Sequence, residues 1–252
     1  MSKKRWLSTG VLFLSVFTAP HVRANEGEQR WYVDAGVSYF SMDPDLPRDL
    51  VTHSTHADDR SFMSGSPGST KLDEVNMTFL NIEVGHNWPI STQLDYRWEW
   101  GVSYVLKVPV SEDGREEKKN ENDTRPATES SFVYTELSDV SCQHEIGLKA
   151  TYWQSIGSDK FRFSITPGLY LGYWQMAFEK GWDRFGRDQV EAGSDANGFS
   201  ISPQIAFTID TSNLNFTVFT GYRAISLDYD YDSMDSSSAT GVEFGASVGW
   251  KF

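Results

Sequence analysis

Two short stretches hold most of the residues that could do chemistry. "VTHSTHADD" (51–59) places His53 and His56 three apart, with Asp58 and Asp59 just behind. Imidazoles beside carboxylates can ligate a divalent metal or exchange a proton as an acid–base pair. "DYDYDSMD" (228–235) presents Asp228, Asp230, Asp232 and Asp235, whose oxygens suit a hard cation such as Ca²⁺, but it lacks the glycine and closing glutamate of an EF-hand loop. Two further histidines, His86 and His144, stand apart from both stretches. Cys142 is the single cysteine, which excludes an intrachain disulfide and a cysteine-based structural zinc site. Catalysis needs such groups oriented by a rigid frame. The 51–59 histidines lie instead in a long stretch punctuated by Gly, Ser and Pro, which is expected to be an exposed loop. No catalytic residue, metal or cofactor is therefore assigned, and the four aspartates are kept as a candidate cation-binding rim.

The frame has to come from the remaining residues. Of the 252, 39% are hydrophobic and 14% aromatic, with nine Trp. That is too aromatic for a disordered acidic chain. The start, "MSKKRWLSTGVLFLSVFTAPHVRA", combines a basic segment, a short apolar run and small residues at Val22 and Ala24, the pattern of a secretory signal peptide cleaved after Ala24. Residues 1–24 are read as that signal, and 25–252 as one domain. The signal carries Lys3, Lys4, Arg5 and Arg23 and no acid, so its removal takes the net charge from -13 to -17. So acidic a chain is not expected to bind nucleic acid. Beyond residue 24 no apolar run approaches the ~20 residues of a transmembrane helix.

Strict alternation is the dominant pattern. It runs through 31–40, 79–88, 94–108, 143–153, 161–174, 200–210, 214–224 and the terminal "VEFGASVGWKF" (242–252). Each segment has roughly the 9–11 residues that a tilted strand needs to cross a bilayer. Connections alternate too. Short turns ("PISTQ", "SIGSDK", "TSN") follow the second, fourth and sixth segments, and long polar stretches (about 42–75, 110–135, 180–199 and 228–240) follow the others. An up-and-down meander sorts its loops this way, with four long loops at one end.

One parity of these segments, running from Trp31, Val33 and Ala35 to Val248, Trp250 and Phe252, carries no Asp, Glu, Lys or Arg. The other holds Asp34, Glu83, Asp95, Arg97, Glu99, Lys107, Glu145, Lys149, Arg162, Arg223, Glu243 and Lys251, six acids and six bases. No second layer is available to cover the apolar face, so lipid must, and in lipid a sheet must close so that every backbone group is paired. The expected fold is all-β: an eight-stranded antiparallel up-and-down transmembrane barrel. Its bore is only wide enough for side chains. The twelve inward charges are expected to pair across it as a plug, with Arg97, Arg162 and Arg223 as hubs.

With a signal segment, eight alternating strands and a last strand ending Trp250-Lys251-Phe252, the chain resembles small Gram-negative outer-membrane barrels of the OmpA/OmpX type. The resemblance implies residence in the outer membrane among lipids and lipopolysaccharide. It also implies that Trp250 and Phe252 are the signal read by the barrel assembly machinery. A cation held by the aspartate rim would then bridge to anionic lipopolysaccharide. Two enzyme families of that membrane offer a comparison. Omptin-type proteases use ten strands with paired Asp and an Asp–His pair at the rim, whereas Asp228–Asp235 has no neighbouring His. Eight-stranded lipid A deacylases use a His-x-Ser pair on the lipid-facing wall, but His144 is followed by Glu145-Ile146 and His86 by Asn87-Trp88. The function expected is non-enzymatic, in membrane integrity or surface interaction through the long loops with an extracellular partner that no residue identifies. A surface enzyme and a narrow channel or small-ligand transporter remain the alternatives.

Overall fold

The computed structural model describes residues 30–45, 74–92, 96–119, 132–156, 158–183, 188–211, 214–229 and 237–251. Every regular element among them is a strand: β1 (Arg30–Asp45), β2 (Val75–Thr92), β3 (Tyr96–Asp113), β4 (Arg115–Lys119), β5 (Phe132–Val140), β6 (Gln143–Ile156), β7 (Ser158–Asp183), β8 (Asp188–Thr211), β9 (Leu214–Tyr229) and β10 (Ser237–Lys251). All pairings are antiparallel. The order β7-β6-β3-β2-β1-β10-β9-β8 returns to β7, which closes an eight-stranded barrel. First and last strands meet along 14 residue pairs, from Tyr32↔Lys251 to Asp45↔Ser238.

β4 and β5 add no staves to this ring. β4 continues the line of β3 past Gly114, and β5 runs into β6 through Ser141 and Cys142. The breaks are bridged by backbone hydrogen bonds: Leu137 N–H donates to Gly114 O at 2.9 Å and Ser141 N–H to Gln175 O at 3.1 Å. The strands are therefore longer at the loop end than alternation alone suggests. The expected loop at 180–199 is mostly hairpin, since β7 and β8 stay paired up to Asp183↔Asp188. The expected loop at 110–135 likewise contains β4 paired to β5.

The parity assignment matches the wall. Trp31, Val37, Leu80, Trp98, Ile146, Leu171, Ile201, Phe216, Phe244 and Val248 are each about half exposed on the outside, whereas Arg223 and Glu243 on the other parity are 0% exposed. Indoles mark the turn end of the outer surface, where Trp88 stacks on Trp100 at 4.3 Å. Trp31 to Tyr39, Tyr152 to His144 and Leu214 to Tyr222 each advance eight residues. At ~3.4 Å per residue and a tilt of ~40°, that is roughly 20 Å along the axis, close to the ~25 Å apolar band of outer-membrane barrels.

Toward the loop end, both faces change sign. Inward positions become apolar: Phe40 and Met42 on β1, Val75, Met77 and Phe79 on β2, Trp174, Met176 and Phe178 on β7, and Ile225 and Leu227 on β9, all at most 3% exposed. With Leu137, Val140, Ala196 and Ala239 they form one apolar cluster. Outward positions at the same level become polar: Ser41, Asp43, Asn76, Thr78, Gln175, Asn197 and Ser226. Beside the expected charges the lumen thus holds an apolar stretch at its loop end. Below the change the barrel is polar inside and apolar outside. Above it the barrel is organised like a water-soluble protein.

Large inward side chains are accommodated by glycine opposite. Tyr32 faces Gly85, Tyr170 faces Gly147 and Phe219 faces Gly245. A Cβ at Gly147 would stand 2.6 Å from both Tyr170 Cε1 and Ser103 Oγ, well inside van der Waals contact. Gly147→Val should therefore overpack the bore and destabilise the barrel by about 1–3 kcal/mol. The check is the temperature at which the folded form converts to the slower-migrating unfolded form in a detergent gel. An unchanged transition would mean that the ring of Tyr170 does not occupy this place.

Candidate functional site

The lumen below the apolar cluster is where the sequence-derived charges meet. Nearest the cluster, Arg223 is held between two carboxylates, with Nη1 2.5 Å from Glu145 Oε1 and Nη2 2.5 Å from Glu243 Oε2. Lys107 completes the square, 3.3 Å from Glu145 Oε2 and paired with Glu243. Arg223, Glu145 and Glu243 lie on β9, β6 and β10, and each faces a glycine of a neighbouring strand: Gly241, Gly172 and Gly221. Removing the neighbour's side chain gives the long charged chain its space.

This square is bonded to the apolar cluster above it. Arg223 Nη1 donates to Ser200 Oγ at 3.0 Å, and Trp174 Nε1 donates to the same oxygen at 2.9 Å. The guanidinium carbon also lies 5.2 Å from the Trp174 ring centroid and 5.8 Å from that of Phe40. The indole thus has its polar atom satisfied while its ring fills the bore.

The middle layer centres on Lys149, which pairs with Glu83. Its ammonium lies 4.8 Å from the centroid of Tyr32 and 6.0 Å from that of Tyr170. Tyr32 Oη donates to Glu83 at 2.7 Å. Asp34 accepts from Asn215 Nδ2 at 3.3 Å. A cavity of about 90 Å³ occupies this level, lined by Asp34, Glu83 and Lys149 among others. The turn-end layer holds Arg97 Nε 2.6 Å from Glu99 Oε1, Trp153 Nε1 donating to Glu99 Oε2 at 2.9 Å, and Lys251 donating to Asp210 Oδ2 at 2.8 Å. Arg162 lines a void of about 10 Å³ in this layer, together with Arg97, Glu99 and Asp210.

Eleven of the twelve expected inward charges are thus on the lumen side. Asp95 lies outside the described residues. Asp210, 5% exposed, is a twelfth lumen charge that the sequence reading omitted. Its place, on the lumen parity of the sixth alternating segment, was the signal. Of the expected hubs, Arg223 bridges Glu145 and Glu243, and Lys107 bridges the same two carboxylates beside it.

His53, His56, Asp58 and Asp59 lie outside the described residues, as do Asp230, Asp232, Asp235 and Phe252. Asp228 is exposed at the end of β9. Trp250 faces outward and is 39% exposed. His86 also points outward but is only 7% exposed, packed 4.8 Å from Trp31 and 4.2 Å from Trp88. His144 shares a 2.5 Å hydrogen bond with Tyr104 on the outer wall. Among the described residues no group of three or more His, Cys, Asp or Glu is placed to hold a metal ion.

The geometry makes the square a test of buried pairing. Arg223→Met strands two carboxylates against one lysine and should cost about 3–5 kcal/mol in urea unfolding from lipid vesicles. Adding Glu145→Gln removes the surplus charge and should restore part of that loss, a coupling that a double-mutant cycle isolates. Strictly additive effects would contradict the paired square.

The chain matches no protein-family model, and no curated protein sequence matches it either. Solved structures do resemble it. The outer membrane protease OmpT from Escherichia coli aligns at 10% identity and TM-score 0.43, covering 92% of this chain and 99% of its own. The outer membrane protein OprG from Pseudomonas aeruginosa aligns at 12% and 0.40, covering 90% and 97%. Neisserial surface protein A aligns at 15% and 0.31, covering 88% and 97%. Likeness this distant assigns no activity. By its own strand pairing the chain is a closed eight-stranded antiparallel barrel.

Proposed function

We propose that the chain is a non-enzymatic barrel of a Gram-negative outer membrane, acting in membrane integrity or in surface interaction through the part that rises above the lipid. The observation that carries this reading is the paired change of sign along the wall. A charge-lined bore under an apolar exterior is stable only if that exterior contacts lipid. The level at which Phe40, Phe79 and Trp174 turn inward, and Ser41, Thr78 and Gln175 outward, is where lipid gives way to water on the loop side.

The partners follow from this setting. Lipid chains cover the band between the Trp-rich turn end and the Tyr-containing loop end. Lipopolysaccharide headgroups meet the loop-end ring, which includes Tyr39, Tyr104, Tyr173 and Tyr222. Trp250 and Phe252 present the terminal signal to the assembly machinery. Asp228 and the three aspartates after it remain the candidate rim for a bridging cation. The part above the lipid, built on β4, β5 and the β7–β8 hairpin, is the surface offered to an extracellular partner. The histidine pair at 53 and 56 lies in a stretch whose Gly, Ser and Pro residues offer no rigid frame in sequence, which favours the non-enzymatic reading.

Expression in a Gram-negative host tests the reading. The protein should fractionate with the outer membrane as a heat-modifiable band. A protease-sensitive tag placed at 230–236 should be cut on intact cells, and one at 212–213 only after the outer membrane is opened. Recovery as a stable soluble monomer would overturn it. Deletion of Phe252 should lower the folded fraction in the membrane several-fold. Full assembly without that residue would remove its role as the signal.

A further inference from the structure

Twelve charges inside a barrel invite the conclusion that the ion pairs close it. The geometry divides the work differently. Beneath the apolar cluster the polar packing leaves the 90 Å³ cavity, room for several waters at ~15 Å³ each. Ser164 Oγ and Asn215 Oδ1 line it with no hydrogen-bond partner, and their residues are 0% and 3% exposed. Buried oxygens without protein partners, facing a polar void of this size, are the setting for ordered water. At its turn-end side the cavity shares Tyr32, Trp153 and Lys251 with the smaller void of the Arg97 and Asp210 layer. Polar side chains therefore continue toward the turn end of the barrel, around a void of about 10 Å³, about the space of a single water.

Toward the loop end it stops. Phe40 on β1, Phe79 on β2, and Trp174 and Phe178 on β7 are each 0% exposed and fill the bore there. Phe40 and Phe79 pack against Trp174 at 5.7 and 5.8 Å between ring centroids. The cavity lining rises as far as Lys107 and Glu145 of the square and includes none of Phe40, Phe79, Trp174 and Phe178. Water has partners throughout the polar layers and none among these rings, so the energetic barrier to a hydrated path lies in the aromatic layer.

We infer that the lumen is a one-ended aqueous chamber, open to water from the turn side and sealed on the loop side by an apolar stopper centred on Trp174, with the ion pairs bracing the wall and not forming the seal. Arg223 is the joint between the two, because its guanidinium binds the carboxylates below and Ser200, Trp174 and Phe40 above. The inference rests on the membrane-barrel reading.

Silver(I) accessibility tests it. Ser164 is replaced by Cys in a Cys142→Ser background, because Cys142 is an exposed thiol. The protein is reconstituted in vesicles, and its orientation is fixed by cleavage of a loop tag. Heat-modifiable migration and that cleavage establish the membrane barrel before any silver is added, so a failure there counts against the membrane reading alone. Silver added to one side blocks the thiol, and maleimide labelling after denaturation reads how much was blocked. Blocking from the turn side should be at least tenfold faster than from the loop side. Equal rates, faster loop-side blocking, or no blocking from either side would each overturn the one-ended chamber. Trp174→Ala should raise the loop-side rate at least tenfold and make the barrel conduct in planar bilayers. The charge variant Lys149→Met with Glu83→Gln should leave the loop-side rate unchanged. If that variant opens the loop side as Trp174→Ala does, the ion pairs are the seal and the stopper is not. If Trp174→Ala does not fold, the sidedness of the parent protein still decides.

Discussion

A strand surrounded by lipid has no water to satisfy its edges, and on the membrane reading that constraint organises the rest of the structure. Closure meets it: β1 and β10, the ends of the described chain, pair along 14 residues, while β7 and β8 pair from Phe161↔Thr211 to Asp183↔Asp188. Closing with eight strands fixes a bore that only side chains can fill. A filled bore in turn demands space for each large inward residue, and glycines opposite Tyr32, Tyr170, Glu145, Glu243 and Arg223 supply it. Pairing of the inward charges is a consequence of the same closure. Once the wall excludes lipid and most water, a carboxylate such as Glu243 needs Arg223 and Lys107.

The wall has no reason to keep one polarity along its whole length. On the membrane reading, its outside meets lipid over a band and water beyond it. Its inside has to be stable in both parts. Where the outside is apolar, charged and polar groups brace the lumen. Where the outside is polar, an apolar cluster of 14 residues does. The two regimes meet at Arg223, whose guanidinium can bond to carboxylates and lie near aromatic faces at once.

Much of this was legible in the sequence. Alternation identified eight strands, the short turns after the second, fourth and sixth gave the meander, and the absence of charge on one parity picked the outer face. The inversion was present too, in a form that hid it. The alternating segments were cut at Phe40, Phe79, Trp174, Ser200 and Ala224, close to where apolar residues cross to the other parity. A rule that follows one apolar face ends a strand where that face changes sign, so Met42 falls in an expected loop and Met77, Met176 and Leu227 fall outside the alternating segments. Hydrogen bonding does not change at that point, and the strands run on. That Lys107 shares both carboxylates of Arg223 was not legible, because it depends on cross-strand register and on which glycine lies opposite, and neither is a property of local pattern.

The most direct measurement is a depth profile of the outer face of β7. A nitroxide is placed in turn at Phe163, Ile165, Leu169, Leu171, Tyr173, Gln175 and Ala177 in vesicles, and its collisions with oxygen and with a water-soluble nickel complex are compared by spin resonance. Oxygen should dominate from Ile165 to Leu171, with the nickel complex taking over by Gln175 and Ala177. A profile dominated by nickel along the entire strand would contradict a lipid-facing wall. One dominated by oxygen through Ala177 would contradict the boundary drawn at the change of sign.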